Sequence, residues 1–499
     1  MKIAGLDIGT TGCKCSVFDE QGAFLAKAYR AYPVKRKLSG HEIDVSVMME
    51  AVIGAVSEMA KKYPDIAGMG VTSFGETFVL TDEAGTPLLP AMLYTDPRGA
   101  EECRQLCRVL GEKKIASITG LRPHEMYSLP KLMWVRDHRP EIFKKASFCM
   151  LMEDYVVFHL TGRRQIDYSM ATRTMGFDIS NLCWSRTMFE AAGIPLSMMA
   201  DPVPTGTSAG KIRKSMVEKT GLPEECRIVS ISHDQVAAAV GAGAFDGDTA
   251  VDGAGTVECL TPVFDEKPDS EVMYRGYFAI VPYVIPGKYV AYAFSYTGGA
   301  LIQWCTEKMA GMEKAAAASA GLSLNDFLER KYLEEGRPVP SGLLVLPHFA
   351  GAATPYMDTG SRGAILGLTT DTDAADLYRG CMEGVAYEML LNVCALADSG
   401  SHFRRLNATG GGAHSKAWMQ MKADILNLPI TALRTVDAGT VGSAMLTGIA
   451  IGLFRDLEDA AKRMVEPVCT YEPRPEMHEA YMKVYRRYAE VYKAVRPLV

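Results

Sequence analysis

Lys2-Ile3-Ala4-Gly5-Leu6-Asp7-Ile8-Gly9-Thr10-Thr11-Gly12-Cys13-Lys14 opens the chain, and Cys15-Ser16-Val17-Phe18-Asp19 follows at once. An apolar run ending in an acid, a Gly/Thr turn and a second apolar run predict a β-hairpin that cradles phosphate. Gly9 and Gly12 are expected to take positive φ and to bring backbone N–H groups close to an anion. Thr10 and Thr11 add hydroxyl donors, and Lys14 adds positive charge. Asp7 would repel a phosphate, so it makes sense with Mg²⁺ between the two, bound through oxygens and water. The same residues also suit a plain hairpin with a Gly-rich turn and a solvated Asp7, because short Gly motifs recur without function.

Composition sets the frame around this hairpin. A chain of 499 residues exceeds what one core supports, which predicts two domains of roughly 250 residues each. Hydrophobic residues at 48% and charged residues at 22% are ordinary for a globular protein. The net charge of −6 gives no reason to expect nucleic acid or a membrane as partner. No apolar run approaches the roughly 20 residues of a membrane span. The N-terminus enters a strand directly, without the basic, apolar and small-residue regions of a secretory signal. The 12 cysteines follow no disulfide framework, as expected of reduced thiols in the cytoplasm. Cys13 and Cys15 lack a second pair or a His cluster and read as strand packing.

Along the chain, Ala23–Tyr32 reads as a third strand and Val45–Lys62 as a helix, with Met48, Val52, Ala55, Val56 and Met59 on one face. Ala67–Thr72 is a buried strand running into Ser73-Phe74-Gly75-Glu76-Thr77, and Ala91–Tyr94 is a strand running into Thr95-Asp96-Pro97-Arg98. Polar residues at strand ends are where α/β proteins place ligand contacts; loop solvation or helix capping explains Glu76, Asp96 and Arg98 equally well. Residues 101–159 read as largely helical, one helix starting near Pro130 with Trp134 in the core.

Ile228-Val229-Ser230-Ile231-Ser232-His233-Asp234-Gln235 is a strand ending in Asp ahead of an Ala/Gly-rich helix, and capping that helix is a sufficient structural role for Asp234. The next segment, Thr249-Ala250-Val251-Asp252-Gly253-Ala254-Gly255-Thr256-Val257-Glu258, repeats the opening strand–turn–strand unit about half the chain later. That repeat predicts two related domains presenting phosphate hairpins to a common cleft. The second half adds Tyr296-Thr297-Gly298-Gly299 before a helix, a buried strand at Leu343–Pro347 and a long helix at Ala374–Ala397. A strand Leu406–Thr409 ends in Gly410-Gly411-Gly412-Ala413, where backbone can lie flat against an aromatic ring. A last helix is expected over Glu476–Arg496.

These motifs, in this order, resemble the FGGY carbohydrate kinases, part of the actin/hexokinase/heat-shock-70 group, essentially end to end. Asp7 to Thr11 and Asp252 to Thr256 resemble the family's two phosphate motifs. Met126–His138, with Lys131 and Trp134, resembles its first signature. Gly363–Glu383 resembles the second, departing at Gly380 and Cys381, which are expected to be packing positions. Gly410 to Ala413 resembles the adenosine loop.

The resemblance implies an α/β fold of two ribonuclease H-like domains, with mixed five-stranded sheets flanked by helices around an interdomain cleft. Residues 1–245 would hold the sugar, the first phosphate loop and the catalytic Asp; residues 246–499 would hold ATP. It implies ATP-dependent phosphorylation of a hydroxyl on a ketose or polyol, a pentulose such as xylulose favoured, with glycerol or another short polyol as the alternative. Asp234 matches the general base, and Asp7 with Asp234 would hold Mg²⁺. Gly9, Thr10, Thr11, Lys14, Gly255, Thr256, Gly299, Gly411, Gly412 and Ala413 would bind the nucleotide. Glu76, Thr77, Tyr94, Asp96 and Gln235 would face the sugar.

Xylulose kinases carry Met-His-Gly where this chain has Phe74-Gly75-Glu76. Glycerol kinases carry Arg-Glu-Thr, which Gly75-Glu76-Thr77 resembles with the Arg lost, so Gly75 is expected to leave room for a larger acceptor. Tyr94 stands where glycerol kinases have a Trp against the polyol carbons. Expected partners are the sugar or polyol and a second copy in a homodimer, and neither nucleic acid nor membrane. A chaperone- or filament-like ATPase would need an extra segment that this chain lacks, and a non-catalytic sugar sensor would tolerate loss of Asp234.

Overall fold

The computed structural model describes every residue except Leu38, Ser39 and Val436. The first of two open sheets is drawn from β1 (Lys2–Ile8), β2 (Gly12–Phe18), β3 (Phe24–Ala31), β4 (Ile66–Ser73), β5 (Thr207–Lys211) and β6 (Arg227–His233), in the spatial order β5-β6-β4-β1-β2-β3. β1, β4 and β6 run parallel, while β2, β3 and β5 pair antiparallel to their neighbours. The second is drawn from β7 (Thr249–Ala254), β8 (Glu258–Phe264), β9 (Ala293–Ser295), β10 (Arg405–Thr409), β11 (Ile430–Leu433) and β12 (Pro467–Tyr471). Its order is β9-β8-β7-β10-β11-β12, with the same pattern of directions. The fold is thus a mixed α/β architecture built on one unit used twice.

Each unit carries one strand more than the five expected, and the short strands Val281–Pro282 and Tyr289–Val290 extend the second sheet to 8. The sixth strand covers an edge that would otherwise leave backbone N–H and C=O groups unpaired. β5 precedes its partner β6 in the chain, whereas β12 follows β11. Both are largely open to solvent and lack apolar alternation, so no period-2 signal marks them.

The helices follow from local chemistry. In α1 (Val45–Lys62) the Asp44 side chain accepts from the Ser46 and Val47 amides, and Lys61 and Lys62 face the negative end of the helix dipole. α2 (Ser128–His138) starts two residues before Pro130. α3 (Met152–Thr161) and α4 (Asp234–Gly241) flank the first sheet. In the second half, α5 (Ala374–Ala397) opens with a capping box of Asp373 and Asp376. Gly380 lies 3.1–3.2 Å, at an added Cβ, from Leu343 and Val345, so the departure from the second signature is a packing position. The final helix breaks into α7 (Pro475–Tyr488) and Val491–Val495 once α6 (Ala438–Ala450) is counted before it. The break lets Tyr492 stack on Tyr356 at 3.9 Å and donate to Asp358 at 2.9 Å.

The two halves meet on glycine. A Cβ on Gly442 of α6 would lie 1.9 Å from the Ala237 carbonyl oxygen of α4, and one on Gly241 would lie 2.0 Å from that of Ala438. α6 also runs over the first sheet, where a Cβ on Gly5 would meet the Thr440 carbonyl oxygen at 2.3 Å and one on Gly70 the Thr447 hydroxyl at 2.3 Å. Ala in place of Gly in a helix gains about 1 kcal/mol of propensity, but this contact is with backbone and cannot yield by rotating a side chain. Gly442→Ala is therefore expected to destabilise by roughly 1–3 kcal/mol. A melting temperature equal to or above wild type would show that the seam is looser than described.

Glu153 and Asp154 open α3 fully buried, with no hydrogen-bond donor in place on either carboxylate. Burial raises both well above the ordinary carboxylate range, each further raised by the acids beside it. Raised in the fold, these groups hold protons that the unfolded chain releases above the ordinary carboxylate range, so there the native state binds more protons than the unfolded chain. The sign follows: their stability is fully present below the ordinary range near pH 4 and is lost as pH rises toward the raised values. Glu153→Gln removes one such proton. Its urea midpoint is expected to gain on wild type as pH rises above the ordinary carboxylate range of about pH 4; a difference that stays constant with pH would contradict the assignment.

Candidate active site

The hairpin expected to cradle phosphate turns at Ile8–Gly12 between β1 and β2, where the Gly9 amide donates to the Gly12 carbonyl oxygen at 2.9 Å. Neither glycine takes the expected positive φ. What the turn requires is space: a Cβ on Gly12 would sit 2.4 Å from the Tyr29 hydroxyl and 2.8 Å from the Arg30 carbonyl oxygen. Thr10 is half-buried and Thr11 is exposed on this turn. Asp7 stands opposite Lys14 in the strand register, with Lys14 Nζ 3.2 Å from Asp7 Oδ2. Lys14 also lies 3.1 Å from Asp437, which arrives from the second half and holds Lys27 at 2.6 Å. Burial raises the Asp7 carboxyl, and Lys14 opposes that rise.

Asp234 is the first residue of α4, and His233 occupies the N-cap position. Its side chain keeps 30% of its surface open. Burial first, then the negative charges of Asp7 and Glu76, push its carboxyl up to about 7, while the Gln235 amide and Arg173 pull it back. His233 Nε2 is 3.3 Å from Asp234 Oδ1, and its Nδ1 meets the Tyr292 hydroxyl at 3.2 Å. Burial and Arg173 keep that imidazole neutral, its pKa well below the usual value. A Cβ on Gly439, in the first turn of α6, would lie 3.6 Å from Asp7 Oδ2 and 3.9 Å from the Asp234 carbonyl oxygen. The start of α6 therefore closes over the point where Asp7 and Asp234 approach.

In the second half, Gly255, Thr256, Gly299, Gly411 and Gly412 line one cavity of about 580 Å³. Ala413 lies behind them, buried. The Gly299 amide donates to the Gly255 carbonyl oxygen at 2.9 Å, and a Cβ on Gly299 would meet that oxygen at 2.7 Å. A Cβ on Gly412 would meet the Trp418 ring at 2.8 Å. Gln303, Asn325 and Tyr378 share the lining; Gln303 and Asn325 are single polar residues on helices that belong to no motif, and Tyr378 lies inside the 363–383 stretch without a signal of its own, so sequence reasoning missed all three. Asp252 holds the place in β7 that Asp7 holds in β1, yet it is sealed: Lys422 Nζ lies 2.7 Å from it and also binds Glu258.

The sugar-facing candidates divide. Glu76 is buried at φ 65°, its carbonyl oxygen accepting from the Ser128 hydroxyl at 2.6 Å. Thr77 is buried beside it, and the Tyr94 phenol stands beside Thr10. The Asp96 carboxylate is already engaged, by Arg98 Nε at 2.8 Å and the His41 amide at 2.7 Å. Arg98 in turn lies over the Trp134 ring at 5.1 Å, so Trp134 of the first signature is a half-buried support for this loop rather than core.

Gly75 does not leave room for a larger acceptor. Arg173 fills that space: a Cβ on Gly75 would sit 2.8 Å from Arg173 Cγ and 3.0 Å from His233 Cδ2. Arg173 Nε donates to Glu76 Oε1 at 2.7 Å, and Nη2 binds the same oxygen. A lone Arg after a short helix carries no sequence signal, and nothing in the chain marked it.

Among the described residues no helix is long and apolar enough to cross a membrane. Residues 2–241 match the N-terminal domain, and residues 254–451 the C-terminal domain, of the FGGY family of carbohydrate kinases. A xylulose kinase from Bacillus subtilis is 25% identical over 99% of this chain and 97% of the relative. A glycerol kinase from Halorhodospira halophila is 29% identical over 97% of this chain and 96% of the relative. The solved xylulose kinase of Rhodospirillum rubrum shares the fold, with a TM-score of 0.88 at 24% identity, covering 100% of this chain and 99% of that one. With both family domains present in order across one cleft, the chain belongs to the FGGY family of carbohydrate kinases and is an ATP-dependent sugar kinase.

Proposed function

We propose that this kinase phosphorylates a ketose or polyol, a pentulose such as xylulose first among them, with Asp234 as general base. The observation that carries the mechanism is the Asp234 carboxyl, pushed up to about 7 between Asp7 and Glu76 at the cleft. A base of that strength takes the proton of the attacking hydroxyl near neutral pH. The transition state of phosphoryl transfer is loose, so positioning and charge neutralisation supply most of the rate. Glu76 orients the acceptor with Thr77, Tyr94 and Gln235. Asp96, spent on Arg98, shapes the loop around them. The glycine-lined cavity of the second half holds the nucleoside, with Gly9, Thr10, Thr11, Lys14, Gly255 and Thr256 around its phosphates. Closure of the cleft excludes water as a competing nucleophile.

Mg²⁺ fits Asp7, a carboxylate at the cleft whose lysine partner leaves it acceptor capacity. An ion that keeps several waters needs only one or two carboxylates beside phosphate oxygens, and Asp234 can share its water shell. When bound, it neutralises phosphate charge. The proposed setting is the cytoplasm, a reducing compartment in which 12 free cysteines are stable as thiols.

Several relatives named xylulose kinase support the pentulose. A short polyol is the second reading, because Arg173 restores beside Glu76 the guanidinium that the sequence lacks at Gly75. ADP release is to be measured with xylulose, ribulose, xylitol and glycerol. The fastest turnover is expected with a pentulose; glycerol leading the panel would favour the second reading, and no acceptor-dependent release would refute both.

Asp234→Ala is expected to keep nucleotide binding and to lose roughly three orders of magnitude or more in kcat. The groups facing Asp234 are Asp7, Glu76, Arg173, His233, Tyr292 and Cys259. Only its own protonation silences the base, so wild-type kcat/KM is expected to fall about tenfold per pH unit below a pH near 7. A profile flat down to pH 5.5 would remove Asp234 from proton transfer.

A further inference from the structure

We infer that Arg173 is a positioning residue for acceptor binding: it pins one oxygen of Glu76 so that the other is presented to the sugar, and Gly75 is glycine to admit it. The inference rests on Glu76 facing the acceptor, as proposed above.

Both Arg173 Nε and Nη2 converge on the single oxygen Glu76 Oε1. The usual fork geometry would spend one donor on each carboxylate oxygen. Here Glu76 Oε2 accepts nothing from the protein, and it is not among the polar atoms sealed from solvent. One oxygen is thus fixed and one stays available at the cleft.

The pair is buried and packed between rings, although Arg173 Nη1 has no hydrogen-bond partner. Arg173 and Glu76 side chains are only 7% and 5% exposed. The guanidinium lies over the Tyr127 ring at 5.3 Å and the Tyr292 ring at 5.6 Å, and the Tyr292 hydroxyl reaches His233 beside the base. Glu76 is fixed at its backbone by positive φ and by Ser128. The Arg173 stem passes where any side chain at 75 would begin, with Cγ 2.8 Å and Cβ 3.1 Å from an added Cβ.

The chemistry explains the need. Glu76 and Asp234 are carboxylates of one cleft, and each disfavours the charge of the other. A guanidinium that cannot lose its proton gives Glu76 a permanent positive partner in this buried place. Its carboxylate then takes a hydroxyl hydrogen at a set angle, and a neutral polyol or ketose is the acceptor class that suits it. Every side-chain hydrogen bond that Arg173 makes goes to Glu76, so its loss is read in acceptor affinity.

The test is steady-state kinetics, with the best acceptor of the panel, for wild type, Glu76→Gln, Arg173→Met, Arg173→Lys, Gly75→Ala and the Glu76→Gln/Arg173→Met double variant. Arg173→Met is expected to raise the acceptor KM roughly 10- to 100-fold, the worth of a charge-assisted hydrogen bond, with the ATP KM within about twofold of wild type. Arg173→Lys should recover part of the loss, because it keeps charge but not the fork. Gly75→Ala should behave like Arg173→Met, and the double variant no worse than the poorer single one. If Glu76→Gln raises the acceptor KM while the Arg173 variants do not, the inference fails and the reading of Glu76 stands. If Glu76→Gln leaves that KM unchanged, both fail. If Arg173→Met proves unfolded by thermal melting, Arg173→Lys decides: a raised acceptor KM at constant ATP KM supports the inference, and an unchanged one overturns it.

Discussion

The structure depends on how closely two pieces of backbone approach. α6 lies against α4 and the first sheet at distances that leave no place for a Cβ on Gly5, Gly70, Gly241 or Gly442. Gly5 stands two residues before Asp7 on β1, and Gly442 three residues after Gly439 on α6. A side chain at either place would lift α6, and with it the first helical turn that closes over Asp7 and Asp234. Carboxylate spacing at the cleft is therefore set by glycines that never meet a ligand. Their role is space and not left-handed backbone, since none of the four takes positive φ.

On this scaffold the site is a problem of charge balance. Asp7, Glu76 and Asp234 are acids in one cleft, and burial raises the carboxyls of Asp7 and Asp234. Each receives a different compensation. Asp7 has Lys14 at 3.2 Å, Glu76 has the Arg173 guanidinium, and Asp234 has the neutral His233 ring, the Gln235 amide and only the field of the Arg173 already bound to Glu76. The group without an ion pair to a cation of its own is the one whose carboxyl rises to about 7, into the range where a proton can be taken and given back. Pairing two of three acids with cations thus sets the third apart, which is what the proposed role of Asp234 as base requires.

Much of this was legible in the chain. Helices Val45–Lys62 and Ala374–Ala397 have their expected bounds, because capping aspartates and apolar faces are local signals. The glycine clusters at 255, 299, 411 and 412 point to one cavity, because glycine at a strand–helix junction reports close backbone approach. The misses share one cause: tertiary partners that no local pattern encodes. Arg173 reaches Glu76 across 97 positions of sequence, and Asp437 reaches Lys14 across 423. The last helix breaks for a stack on Tyr356. Gly75 looked like room for ligand, and it is room for an arginine.

The duplicated unit shows how one motif parts into two roles. Asp7 and Asp252 close corresponding strands, but their lysines come from different places. Lys14 sits on the neighbouring strand of the same hairpin at the cleft, and its pairing with Asp7 leaves both partly open. Lys422 comes from the helix Lys416–Leu426 beneath, over the Trp418 ring at 4.5 Å, and it is 1% exposed. A lysine at the cleft can trade its carboxylate for a phosphate, because both partners remain within reach of solvent and ligand. A lysine sealed under the sheet cannot, since breaking that pair would strand a buried charge. The carboxylate of the second hairpin is therefore structure, which leaves its backbone amides and Thr256 as the groups it can offer a ligand. The asymmetry between the two halves begins with which element supplies the lysine.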